Sequence, residues 1–343
     1  MNKVALMPDS DRQELFQATA LSMGLRTDVI EKDFWVCYML NHLFHKCKYK
    51  DLFVFKGGTS LSKSYHVINR FSEDIDLIID WRKIIKDGSN PWDDRSKNKQ
   101  YEYNKRINSD AVFFYKNELI PQLDNEISFI LGKGIWIELD KDDDMVINFN
   151  YPKLFDTDYI IPHVRLEIGP LAEWIPSHKI SIQPFAAEKY PMLFSQKETK
   201  ILTIDVERTF WEKLTILHKL SNFPEDKVIP HRYARHLYDV YCMGNSWVKK
   251  KAFERKELLE KDALFKQKFY YSKGAHYESA TLSDIKLIPD NTIQVKLKED
   301  YKAMHNMIYG KIPEFEEIIE YLEELQKEIH MLDKNILNEE EEA

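Results

Sequence analysis

The segment FKGGTSLSKSYHVINRFSEDIDLIID, residues 55–80, constrains this chain more than any other. The apolar run LFVF leads into two adjacent glycines. A hydroxyl-rich stretch follows, and then two aspartates one residue apart at the start of a second apolar run. That order predicts strand, tight turn, helix and strand, a compact α/β unit. Residues i and i+2 of a strand share a face, so Asp74 and Asp76 stand side by side with Ile75 turned away. Two carboxylates that close repel each other unless a cation lies between them. Mg2+ suits the place, because it takes carboxylate and phosphate oxygens together. Such a pair can bridge two ions about 3.5–4 Å apart, the arrangement used for in-line phosphoryl displacement. Gly57 and Gly58 let the backbone approach an anion closely. Their amides, and those of Thr59 and Ser60 at the helix start, are placed to donate to phosphate oxygens, and the two hydroxyls add donors. The P-loop pattern GxxxxGK[ST] is absent.

The chain has 343 residues, more than one typical core accommodates, which implies two domains or one with large additions. Its hydrophobic content of 43% supplies a sizeable core, so wholesale disorder is not expected. A net charge of −8 argues against a protein coated with nucleic acid while leaving room for a local basic groove. The three cysteines, Cys37, Cys47 and Cys242, form no CxxC pair, and an odd count suits a reducing compartment, so a zinc site is not expected. The N-terminal stretch is too polar for a secretory signal, and no run approaches about 18 apolar residues. A cytoplasmic location and no membrane association are expected.

Along the chain, residues 9–46 read as helical. Asp9 or Ser10 is placed to cap the first helix, and Asp28 with Glu31 forms a capping-box pattern for the second. Residues 82–106 are polar and irregular and read as an inserted loop; 110–131 read as an amphipathic helix. Strands are expected at 145–151, 159–169 and 178–185. From 205 the pattern turns helical, broken by an extended TIQVKL (292–297). A last amphipathic helix begins near Pro313, with the proline near its first turn, and the acidic tail NEEEEA is expected to be solvated.

The blocks KGGTSLSK and RFSEDIDLII resemble the signature of the polymerase-beta-type nucleotidyltransferase superfamily, and in detail the AbiEii/AbiGii toxin family of bacterial toxin–antitoxin and phage-defence systems. VIEKDFWVCYML, DVERTFWEKLTILHKL and DYKAMHNMIYGKIPEFEEIIEYLEEL are similar to further blocks of that family, so the likeness covers most of the chain. One departure is the spacing of fifteen residues between Gly58 and Asp74, which a helix and a loop carrying Arg70 and Phe71 must fill. The resemblance implies a mixed α/β (α+β) polymerase-beta-like core at 51–195 with an insertion at about 82–145. A helical segment at 1–50 precedes it and a helical domain at 196–343 follows.

It further implies transfer of a nucleoside monophosphate from an NTP to an acceptor. Asp74 and Asp76 would bind Mg2+, as two ions, while Gly57, Gly58, Thr59 and Ser60 hold the β- and γ-phosphates. Glu167 would be a third carboxylate on a neighbouring strand, where Val164 and Leu166 alternate with Arg165 and Glu167. It would help hold the catalytic ion and accept the acceptor hydroxyl's proton. Lys213 matches a lysine that contacts the triphosphate, and Asp239 matches an aspartate that orients Lys213 or an acceptor nucleotide. The bland reading of Asp239 is an ion pair on the helix surface with Arg235 or His236. Lys56 and Arg70 are secondary phosphate ligands.

Relatives of this group act on tRNA or other RNA, and a cognate antitoxin is implied. Lys97, Lys99, Lys105 and Arg106, interleaved with Tyr101 and Tyr103, and the run Lys249–Lys251 offer phosphate and base contacts. A protein acceptor stays open. Two rival functions use the same site: a kinase-like phosphotransferase, and a non-catalytic, NTP-binding regulatory protein.

Overall fold

The computed structural model describes residues 1–156, 160–171 and 176–341, with side chains as far as Asp333. The chain divides into two compact units. Unit 1 comprises residues 1–65 and 71–204, and unit 2 comprises 66–70 and 205–343.

Unit 1 is built on a mixed sheet. Its strands are β1 (Phe53–Lys56), β2 (Ile75–Ile79), β3 (Ile137–Leu139), β4 (Val146–Phe149), β5 (Val164–Gly169), β6 (Ser177–Ile182) and β7 (Thr199–Ile204). Among the described residues their order is β3-β4-β5-β2-β1-β7-β6. β2 runs parallel to β5 and β1 parallel to β7, and the other neighbouring pairs are antiparallel. One face carries Phe55, Ile75, Leu77, Leu166, Ile168 and Phe149, all buried. The helices Asp9–Met23 and Thr27–His45 contribute Phe16, Phe34, Trp35 and Tyr38 to the same core. Trp35 stacks on Tyr151 with centroids 5.9 Å apart and meets Phe149 edge-on. The opposite face carries a small apolar cluster, Val54, Ile78 and Ile204, beside its polar residues. Period-two burial in β5 leaves Arg165 and Glu167 half-exposed on that polar face, as the alternation requires.

Several expectations are corrected here. The helical segment at 1–50 falls within unit 1, and its helices contribute to the core of that unit. Residues 199–204, placed by the sequence in the helical domain, form β7 of the sheet. The stretch 82–106, read as an inserted loop, carries the start of a helix from Lys97, and the helix expected at 110–131 is present in two parts. Helices Lys97–Phe114 and Ile120–Leu131 flank a π-helical turn, Tyr115–Leu119, and bury Ile107, Tyr115, Leu119, Leu123 and Ile127 in the core. The π-turn lies just before Pro121, whose missing N–H and ring crowd an α-helical ladder. Asp9 caps nothing, since Pro8 is the cap residue of its helix. The Asp28–Glu31 capping box is not made either. The Asp28 carboxylate accepts from Val29 N at 3.0 Å and from Arg26, while Glu31 accepts from the amides of Leu154 and Phe155. Pro313 lies outside the last helix, Phe315–Glu341. Tyr159, the first residue of an expected strand, lies outside the described residues, as do the side chains of the acidic tail.

Unit 2 is helical. Its helices include Val206–Ser221, Arg235–Gly244, Trp247–Glu254, Glu257–Phe269, Asn291–Ala303 and Phe315–Glu341. TIQVKL is therefore helix, not strand: Ile293, Leu297 and Tyr301 are buried at intervals of four, while Val295 is exposed. Among the described residues, no helix is long and apolar enough to cross a membrane, and the three cysteines are free.

Candidate active site

The polar face of the unit 1 sheet gathers eight of the expected site residues. In the hydrogen-bonded register Lys56 of β1 pairs with Asp76 of β2, and Asp76 pairs with Glu167 of β5. Paired residues point to the same side of a sheet, so a lysine and two carboxylates form one row across three strands. Asp74 and Arg165 directly precede Ile75 and Leu166, the first residues paired between β2 and β5, and Arg165 pairs with Asn148 of β4. Lys56 occupies an irregular extended conformation at the end of β1, and the Gly57–Lys63 helix begins directly after it.

Gly57 is what lets the helix start so close to the second strand. Its φ is +79°, and a methyl group in place of its hydrogen would lie 1.8 Å from Oδ2 of Asp76. The bend and the acidic strand are also tied by the Thr59 hydroxyl, which donates to the Asp74 carbonyl at 2.5 Å. Ser60 Oγ donates to the Gly57 carbonyl at 2.8 Å. Both hydroxyl protons are thus engaged with the backbone. What the bend offers an anion is the set of amides at the first turn of the helix.

Asp74 is the unusual group. Its Oδ1 is buried and has no hydrogen-bond partner. Burial, first, raises its carboxyl above the ordinary value; Lys32 pulls it back, while Asp76 and Glu73 push it further up. Glu73 itself turns away. Its carboxylate is buried on Lys32 at 3.0 Å and accepts from the Ile161 amide at 3.1 Å. A second buried pair, Lys63 with Asp33 at 2.7 Å, ties the 57–63 helix to the helix Thr27–His45. Asp33 also accepts from the Phe185 amide. Glu167 has its carboxylate 3.6 Å from the Arg165 guanidinium. Among the described residues no three His, Cys, Asp or Glu side chains converge as a ready-made metal cage. The residues nonetheless fit a divalent cation. An orphaned buried carboxylate oxygen lies close in sequence to a second carboxylate, which packs directly against the Gly57 backbone.

The remaining three expected residues gather in unit 2. Asp239 is fully buried, so the surface ion pair with Arg235 or His236 is not what forms. Arg70 donates to it through both arms, Nε to Oδ1 at 2.7 Å and Nη2 to Oδ2 at 2.8 Å. Lys213 Nζ lies 2.9 Å from Oδ2 and donates to Nδ1 of His236 at 3.1 Å. Arg70 is 2% exposed and bidentate on Asp239. Burial alone would raise the Asp239 carboxyl, but Arg70 and Lys213 outweigh it and hold the group well below the carboxylate range. Burial lowers Lys213, against the attraction of Asp239. Burial, then Lys213 and Arg235, keep His236 neutral. Two cations therefore share one anion, an excess of positive charge inside unit 2.

A model of the AbiEii nucleotidyl transferase toxin family, of type IV toxin–antitoxin systems, matches residues 39–321. The chain belongs to the AbiEii family. Membership makes it a nucleotidyltransferase of a toxin–antitoxin system, with an NTP as substrate and an antitoxin as partner. A search among curated proteins finds no match. Among solved structures, the nucleotidyltransferase toxin MenT4 of Mycobacterium tuberculosis H37Rv is similar at 14% identity with a TM-score of 0.43, over 93% of this chain and 97% of that one.

Sequence reasoning missed Lys32, and it named Arg165 and His236 only as strand and helix neighbours of Glu167 and Asp239, without the contacts they make. Arg165 carried a signal, since it lies two residues before Glu167 on the same face of a strand. Lys32 and His236 sit in helices and carried none, because their partners Glu73 and Lys213 are distant in sequence.

Proposed function

We propose that the polar face of unit 1 transfers a nucleoside monophosphate from an NTP to an RNA hydroxyl, with tRNA as the acceptor class and phage defence as the setting. The observation that carries this reading is the buried, unpartnered Oδ1 of Asp74 beside Asp76, with the Gly57 backbone pressed against the Asp76 carboxylate. Asp74 and Asp76, joined by Glu167, would hold magnesium, which when bound neutralises phosphate charge and polarises the α-phosphoryl group. The amides of Gly58, Thr59 and Ser60 donate to the terminal phosphates, and Lys56 adds a point charge. The acceptor oxygen attacks the α-phosphorus, the bond to the β-phosphate breaks, and pyrophosphate leaves. Glu167 takes the acceptor's proton. Lys213 would contact the triphosphate and offset its developing charge. That role rests on the resemblance of its sequence block, and Asp239 orients the lysine.

The support for RNA is narrower than the sequence suggested. Lys97, Lys99, Lys105 and Tyr101 are exposed along one helix. Tyr103 is buried with Arg95 stacked 3.8 Å over its ring, Arg106 is paired with Asp87, and Lys249 with Glu328. The test is incubation of the protein with magnesium, total RNA and NTPs labelled at either the α or the γ phosphate. Retention of α label on RNA, abolished by Asp74→Asn with Asp76→Asn, is the expected result. Sequencing of the RNA ends then identifies the acceptor. Retention of γ label, or transfer that survives the double substitution, overturns the reading.

A further inference from the structure

Arg165 is the cation built into the carboxylate row. It directly precedes Leu166, which pairs with the neighbour of Asp74, Ile75; its charge acts on Asp74, and it lies two residues before Glu167 on one face. Its guanidinium is 3.6 Å from the Glu167 carboxylate, a separation that attracts without forming a hydrogen bond. Its Nε is buried and has no hydrogen-bond partner, and neither has Oδ1 of its cross-strand neighbour Asn148, whose amide nitrogen donates to Asp140 at 2.9 Å. The side chain is thus held near its carboxylates by charge and by packing of its stem, not locked by a hydrogen-bond network. The other basic group close to Asp74, Lys32, is already matched by Glu73.

We infer that Arg165 is a positioning residue that makes cation binding depend on the nucleotide. Without nucleotide, its charge compensates Asp74 and Glu167 and keeps Glu167 out of a cation-binding set, consistent with the lack of a converged cage among the described residues. A free divalent ion must then displace or endure a nearby positive charge. An ion that arrives with a triphosphate brings negative charge that offsets the conflict and gives the guanidinium phosphate oxygens to bind, which frees Glu167. The inference rests on the reading that Asp74 and Asp76 hold the ion.

The test is titration of the full-length protein with Mn2+, followed by electron paramagnetic resonance, with and without a non-hydrolysable ATP analogue. In the absence of nucleotide, Arg165→Met is expected to bind Mn2+ about tenfold more tightly than the unaltered protein. Arg165→Lys, which keeps the charge, is expected to stay within about threefold of it. With the analogue present, the advantage of Arg165→Met is expected to vanish. Asp76→Asn is expected to abolish Mn2+ binding in either background. If Asp76→Asn abolishes binding but Arg165→Met binds Mn2+ no more tightly than the unaltered protein, the inference fails and the site stands. If Asp76→Asn leaves Mn2+ binding unchanged, the site reading fails with it. Arg165→Gln takes the place of Arg165→Met should thermal melts show that the latter does not fold.

Discussion

At the scale of single residues, Gly57 and Glu31 show how differently local and distant constraints are written. Gly57 needs both its positive φ and its missing side chain, because Asp76 occupies the space a methyl would take. Gly57→Ala is expected to cost about 1–3 kcal/mol in a urea melt. By displacing the Asp76 carboxylate it should also lower nucleotide transfer by roughly a hundredfold. That requirement was legible, since paired glycines before a strand bearing DxD are a local pattern. Glu31 was not legible. Its spacing from Asp28 imitates a capping box, but its carboxylate serves amides 123 and 124 residues away. Burial raises it from the ordinary 4.5 to about 7, only partly offset by those amides and Arg12. A raised carboxyl favours the folded state most below its unfolded value, and that contribution is lost as pH rises through about 7. Glu31→Gln should therefore remove a loss of roughly 3 kcal/mol in unfolding free energy between pH 4.5 and 7, read from urea melts at each pH.

At the scale of elements, the misreadings share one cause. TIQVKL carries three β-branched residues and looks extended, but its buried positions recur every fourth residue because the rest of unit 2 packs against it as a helix. The polar composition of 82–106 hid the helix Lys97–Phe114, whose buried side is only Gln100, Tyr103, Ile107, Ala111 and Phe114. The helices that continue from it to Leu131 are structural. Tyr115 donates its hydroxyl to the Ile168 carbonyl in β5 at 3.0 Å, and Leu123 and Ile127 are fully buried. Leu123→Ala is therefore expected to destabilise the protein by about 2–5 kcal/mol in chemical denaturation, whereas a change in an appended loop would cost almost nothing. Elements carrying their own period, such as β5 and the helix Val206–Ser221, were read correctly because one face alone specifies them.

At the scale of the whole molecule, the short segment 66–70 belongs to unit 2 although the residues on both sides of it belong to unit 1. It delivers Arg70 to Asp239, a pairing across 169 residues, and that pairing holds Lys213 in place. Asp239→Asn leaves two buried cations without a counter-ion and is expected to cost about 3–5 kcal/mol. Because the folded-state carboxyl is depressed, its contribution is complete above the unfolded value near 4 and disappears as pH falls through the lower folded one. The stability gap between the two proteins, followed by denaturant melts from pH 7 down to pH 3, should stay constant to about pH 4 and begin to narrow below it without closing by pH 3. From the sequence alone came the strand–glycine–helix–strand order, the shared face of Asp74 and Asp76, the place of Glu167 and the family. All of these depend on spacing within a few residues, or on blocks that keep their local pattern. Tertiary structure decided that Arg70 neutralises Asp239, that Glu73 is matched by Lys32, and that Arg165 stands beside the acidic row. A buried charge takes whichever opposite charge the fold brings to it, and one strand or helix holds no record of that partner.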